Sequence, residues 1–196
     1  MKETKKSKFG TREIAFTAML LAVCLVSQVF KNLSVYITGP VINACIVLAV
    51  FAVNLPCALC LSIITPVTAY LISAAPIMTA IPGIIPLIMV GNCILAICVF
   101  LLFKKHAYEK VSTKTTILYV ITAAVSSAAK AAFMGLTISL WVIPTFLPTE
   151  SPLRKKLDVF QSMFSVTQLF TALIGFAYVY VIWAAVKHTH ILDKQD

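Results

Sequence analysis

Residues 83–103 read GIIPLIMVGNCILAICVFLLF and contain no charged side chain. A transmembrane helix needs about 20 consecutive apolar residues, so this stretch is long enough to cross a bilayer. Similar stretches lie on both sides of it. Toward the N-terminus, Ile37–Val53 and Pro56–Ser73 form one long apolar block that the turn signal Asn54-Leu55-Pro56 divides in two. Ile14–Phe30 precedes them, and Thr116–Leu140 and Val159–Val186 follow the central stretch. The expected fold is therefore an all-α integral membrane protein, a bundle of about six transmembrane helices. Residues 1–13 read as a basic tail, 14–187 as one transmembrane domain and 188–196 as a second tail. The basic opening MKETKKSKFGTRE leads into apolar sequence without a small-residue cleavage site, and reads as tail and first span, not signal peptide.

The composition agrees. Hydrophobic residues make up 60% of the 196 and charged residues 12%, against about 45–50% and about 25% in an ordinary globular domain. The spans use nearly the whole chain, which leaves no room for a second folded domain. The net charge of +9 would suggest a nucleic-acid partner in a soluble protein. Here the cations fall in loops and tails, where the positive-inside rule applies. Lys2, Lys5, Lys6, Lys8, Arg12, Lys104, Lys105, Lys110, Lys114, Lys187 and Lys194 share one side, and Lys31, Arg154, Lys155 and Lys156 the other. Eleven against four places both termini in the cytoplasm.

Enzyme chemistry finds little support. The chain has no GxxxxGK[ST], HExxH or GxSxG. Its acidic residues, Glu3, Glu13, Glu109, Glu150, Asp158, Asp193 and Asp196, fall in tails, loops or span edges, and His106, His188 and His190 read as a solvated cytoplasmic face. Cys24, Cys45, Cys57, Cys60, Cys93 and Cys98 lie in apolar segments; Cys57 and Cys60 form a CxxC without a second pair or a nearby histidine, so they read as small hydrophobes. No metal and no cofactor are expected.

One ionisable residue stands inside a span: Lys130, in TAAVSSAAKAAFMG. Lysine at a helix centre costs about 2.5–3.5 kcal/mol on insertion scales and marks a functional site by default. Snorkelling is the structural alternative. It would require the stem to cross about 15 Å to the outer end of the span, at 1.5 Å per residue. Asn92, Gln168 and Asn43 come to similar depths in other spans. With Lys130 they suggest one outward-facing ligand cavity, although interhelical hydrogen bonding serves the same residues. No carboxylate is placed to neutralise Lys130; Ser126, Ser127 and backbone carbonyls can solvate it in part, and an anionic ligand would do so more fully. The proline-punctuated Ala74–Pro82 fits a lid, with Tyr36 and Trp141 near the same surface. On the first span, Ala15, Ala18 and Ala22 line one face, and Ala18 and Ala22 form a small-xxx-small pair that lets another helix approach closely.

With these residues in view, the chain resembles the substrate-binding S-components of energy-coupling factor (ECF) vitamin transporters. The carriers of the resemblance are TREIAFTAMLLAVCLVSQ, ITGPVINA, PLIMVGNCILA, SSAAKAAFMG and SVTQLFTALIG, which are similar to an unassigned branch of that family, and the AxxxA of Ala18 and Ala22. The resemblance implies a bacterial plasma-membrane location and a vitamin or related micronutrient ligand. It also implies as partners a transmembrane coupling subunit, docked on the alanine face, and two ATPase subunits. The absence of a Walker motif suits that division of labour. Because substrate residues vary between members, Lys130, Asn92, Gln168 and Asn43 rest on depth and polarity alone; pantothenate, biotin or lipoate would supply the anion. A stand-alone secondary permease is the alternative function, and a structural membrane protein would not require Lys130 at depth.

Overall fold

The computed structural model describes residues 10–29, 35–107, 109 and 111–188. Of the sequence expectations, those resting on Lys2, Lys5, Lys6, Lys8, Lys31, Lys110, Lys194, His190, Glu3, Asp193 and Asp196 lie outside these residues. The described chain is all helical. Its elements are α1 (Thr11–Val29), α2 (Val35–Ala52), α3 (Leu55–Ser73), α4 (Pro76–Ala80), α5 (Ile84–Phe103), α6 (Thr113–Met134), α7 (Ile143–Phe146), α8 (Leu157–Met163) and α9 (Val166–His188). Five helical stretches are long and apolar enough to cross a membrane, and a shorter apolar helix spans Tyr36–Ala52. Large apolar side chains point away from the protein along these helices; Leu101 is 73% exposed and Leu71 72%. Such a surface suits lipid, which is as apolar as leucine.

Local chemistry sets the helix ends. Asn54 caps α3, its side-chain oxygen accepting from the Cys57 amide at 2.9 Å, and Pro56 occupies the first turn, where an N–H would be unpaired anyway. α3 stops at Ala74, whose φ of 38° lies in the left-handed region, and the Ala74 N–H closes on Tyr70 O. Ser112 and Thr115 form a reciprocal capping box at the start of α6.

The structure differs from the sequence reading between α6 and α9. Trp141–Asp158, read as a loop, is largely helical. α6 runs on through a π-helical segment, Gly135–Val142, into α7, and a 3-10 turn at Pro152–Lys156 leads into α8. The prolines punctuate helices here: Pro152 sits in a first turn, where the missing N–H costs nothing, and Pro144 follows directly on the π segment inside a continuous helical run. The sixth apolar stretch is likewise broken, with α8 ending at Met163 and α9 beginning at Val166.

The bundle is closed at one end and hollow at the other. At the closed end, Phe103, Tyr119 and Trp183 pack together, with centroids 5.2 Å apart for Phe103–Tyr119 and 5.7 Å for Phe103–Trp183. Tyr119 donates to Phe176 O at 2.7 Å and Trp183 Nε1 to Ala107 O at 2.9 Å, so each buried ring has its polar atom satisfied. Lys104, read from sequence as a loop cation, folds back onto the end of α2 and donates to Val50 O and Phe51 O at 2.6 and 2.8 Å. It thereby caps two carbonyls that a helix C-terminus leaves open.

Two glycines set helix spacings that larger residues would prevent. A Cβ at Gly175 of α9 would lie 2.8 Å from Pro40 O and 2.9 Å from Asn43 Cβ of α2. A Cβ at Gly91 of α5 would lie 2.8 Å from Met134 Cγ of α6. The first is a clash with backbone, which cannot swing away. Gly175→Ala should therefore destabilise the protein by about 1–3 kcal/mol, the usual cost of overpacking, and lower its unfolding temperature in detergent. Gly83→Ala, where a Cβ would meet nothing within 4 Å, is the control and should leave that temperature unchanged.

Candidate ligand cavity around Lys130

Lys130 faces inward on a stripe of α6 that also buries Thr122, Ser126 and Ser127. It is 3% exposed. Its Nζ donates to Asn43 Oδ1 of α2 at 2.6 Å and to Asn92 Oδ1 of α5 at 2.8 Å. Both amides are themselves buried. The adjoining glycines explain how these groups meet. Gly91 immediately precedes Asn92 and lets α5 close on α6, while Gly175 packs on the Pro40–Ala44 backbone beside Asn43. The sequence expectation that Ser126 and Ser127 help to solvate Lys130 is corrected: their hydroxyls are buried without a partner, and the two amides across the bundle take that place. The long stem carries the amine away from its own helix, beyond the reach of hydroxyls one turn back.

Lys130, Asn43 and Asn92 form one end of a cavity of about 230 Å³. Gln168 of α9 also lines it, with Nε2 donating to Met163 O at 3.2 Å across the α8–α9 break. The four polar residues singled out in the sequence thus border a single space. Two further polar residues on the wall, Thr38 and Thr65, give their protons to Ser27 O and Leu61 O. Among the described residues no acidic side chain lines the cavity: Glu13, Glu109, Glu150 and Asp158 all lie outside it. No group of three or more His, Cys, Asp or Glu side chains able to hold a metal occurs among the described residues. Cys57 is buried and Cys60 exposed.

The rest of the wall is apolar. Ala75–Met78 of the Ala74–Pro82 connection lie against it, as do Phe160, Met163 and Phe164 at the end of α8. α8 is held in place by a reciprocal pair: Gln161 Nε2 donates to Ser139 O at 2.9 Å, and Ser139 Oγ to Gln161 O at 2.8 Å. Arg154 adds bonds from Nη2 to Pro144 O and Leu147 O, each at 3.2 Å. Sequence reasoning missed α8. Its signal was present in the i, i+3, i+4 spacing of Phe160, Met163 and Phe164, which marks an apolar helical face, but the run joins the following apolar stretch and reads as one span. Tyr36 and Trp141 are exposed, at 58% and 59%, and stand apart from the cavity.

Ala15, Ala18 and Ala22 lie far from this site in sequence and are all exposed on α1. α1 packs chiefly against α2 and α3, and Ala18 borders a shallow apolar groove that Cys57, Leu61 and Ile64 of α3 also line.

No family model matches the chain, and no curated protein and no solved structure matches it either.

The amide clamp has an energetic consequence that can be measured. Asn92→Leu removes one acceptor from a buried amine and should cost about 1–3 kcal/mol. Lys130→Met in the Asn92→Leu background removes the donor as well and should recover much of that loss. A double-mutant cycle read by thermal unfolding should give a coupling of at least about 0.5 kcal/mol; additive effects would show that the contact contributes nothing.

Proposed function

We propose that this chain is the substrate-capture subunit of an ATP-driven importer of the ECF type, binding a vitamin-like, anionic small molecule. In this reading the six apolar helices all span a bacterial plasma membrane with both termini in the cytoplasm. A coupling subunit docks on Ala15, Ala18 and Ala22, and two ATPase subunits supply the energy. The observation that carries the proposal is Lys130 at the end of an apolar cavity, hydrogen-bonded to two neutral amides and to no acid. Amides satisfy hydrogen bonds but cannot neutralise a charge, so a cationic amine in this low-dielectric site is best complemented by an anion. The exposure of the alanine face on the least enclosed long helix supports the docking role.

Mass spectrometry of protein purified from native membranes should find a co-purifying anionic metabolite and ATPase subunits. Lys130→Met should weaken ligand binding roughly tenfold to hundredfold, the equivalent of one charge-assisted hydrogen bond, and leave the subunits attached. Ala18→Trp with Ala22→Trp should do the reverse. Loss of both by either change, or of neither, would overturn the assignment of roles. In a cysteine-free background, single cysteines placed in 144–152 should react with a membrane-impermeant reagent from outside, and cysteines in 104–114 should not. The opposite pattern would invert the topology.

A further inference from the structure

Resting on the capture reading, we infer that the cavity takes a compact monocarboxylate whose body is apolar and carries few or no hydroxyl or amide groups. The argument begins with what lysine can do. In its protonated form the side chain only donates, and Asn43 and Asn92 both turn their oxygens toward it. That commits each amide to presenting its remaining polar group, the NH2, as a donor. The three polar residues that line this part of the cavity therefore have donors left over and no free acceptor but the amides' remaining lone pairs: the two Asn Nδ2 groups and the Lys130 proton that neither amide takes. A group with only acceptors fits this end, and a carboxylate has about four lone-pair sites and no proton to give. An ammonium would place donors against donors, and an unsubstituted amide offers one uncharged acceptor oxygen where a carboxylate offers two that share a negative charge.

The remaining wall limits the body of the ligand. The side chains of Ile42, Pro66, Ile77, Met78, Ile88 and Phe164 offer no polar atoms. The protons of the Thr38 and Thr65 hydroxyls are committed to backbone carbonyls, and one Gln168 Nε2 proton goes to Met163 O. What these wall side chains leave for ligand hydroxyls is the Gln168 carbonyl, its second Nε2 proton and two threonine oxygens already engaged as donors, too few for a polyhydroxylated body. Each ligand polar group buried without a partner lowers affinity by roughly fivefold to a hundredfold. The volume, about 230 Å³, lies below the roughly 300–1,000 Å³ of pockets for drug-sized ligands, which suits a small acid.

The test compares three molecules that share one ring: cyclohexanecarboxylate, cyclohexanecarboxamide and quinate, a cyclohexanecarboxylate bearing four hydroxyls. Binding is measured by calorimetry on the purified full chain in lipid nanodiscs, with hexanoate as a linear probe in case the ring is too wide. Cyclohexanecarboxylate or hexanoate should bind, the carboxamide at least about tenfold more weakly, and quinate at least about a hundredfold more weakly. Lys130→Met should bring the carboxylate down to the level of the amide. Quinate binding as tightly as cyclohexanecarboxylate would overturn the apolar body and leave the capture reading standing. The absence of binding by any of the four probes, or carboxylate binding that Lys130→Met leaves unchanged in a folded protein, would overturn the inference. The capture reading itself is judged separately, by co-purification of the ATPase subunits. Should Lys130→Met fail to fold, the comparison of quinate with cyclohexanecarboxylate on the unaltered protein still decides.

Discussion

The hydrogen bonds from Lys130 to Asn43 and Asn92 tie α6 to α2 and α5 at one point, and much of the bundle is arranged so that they can form. A buried amine without partners would cost several kcal/mol. Its two acceptors come from different helices, so satisfying it requires both helices to approach α6 closely. Gly91 and Gly175 provide that approach, one beside Asn92 and the other against the backbone that carries Asn43. Packing and polarity are thus coupled. The small residues are needed where they are because the amides must reach the amine, and the amine is tolerable because the helices come close.

The same coupling accounts for the asymmetry of the bundle. At the closed end, aromatic rings fill the space between helices, and Lys104 is spent on two carbonyls of α2. At the other end the helices are interrupted. α3 stops at a left-handed residue, α6 loosens into a π segment, and α8 and α9 meet at a break. Irregular backbone at membrane depth is tolerated where protein or a cavity surrounds it. Each interruption here frees polar groups that a neighbour takes up, as Gln161 and Ser139 do for each other and Gln168 does for Met163. The cavity lies among these interruptions because regular helices would have packed it shut.

Much of this was legible in the sequence for one reason: a bilayer demands long apolar helices, and their lengths can be counted. Residues 83–103 announce a helix, and the break at Asn54 is written in a capping residue followed by proline. Depth along a helix also follows from residue number, which is why Lys130, Asn92, Asn43 and Gln168 could be placed at one level before their contacts were known. Azimuth does not follow in the same way. Nothing local says that Lys130 reaches across to α2 and α5 and not to Ser126 or Ser127 on its own helix, since that depends on how far neighbouring helices close. Prolines misled for a related reason. In Trp141–Asp158 they look like loop residues, yet Pro144 lies in the helical run that continues α6 and Pro152 opens a short helical turn, in a region that tertiary contacts such as those of Arg154 hold in place.

On the proposed function, a lysine already satisfied by two amides serves the ligand as well as the fold, and the chemistry of the clamp suits that role. If the amine needed only hydrogen bonds, a leucine or methionine at position 130 with apolar partners would pack the same space, and such replacements of buried polar sets are often neutral or stabilising. The clamp instead keeps a strong donor buried, hydrogen-bonded on two sides and bordering an apolar space. Two neutral acceptors position it without cancelling its charge, whereas a carboxylate in their place would do both and leave nothing for a ligand. Preorganisation of this kind lowers the ordering cost of binding, and it uses acceptors weak enough that an anion remains the better partner. The absence of acidic side chains from the wall belongs to the same logic as the presence of the amides.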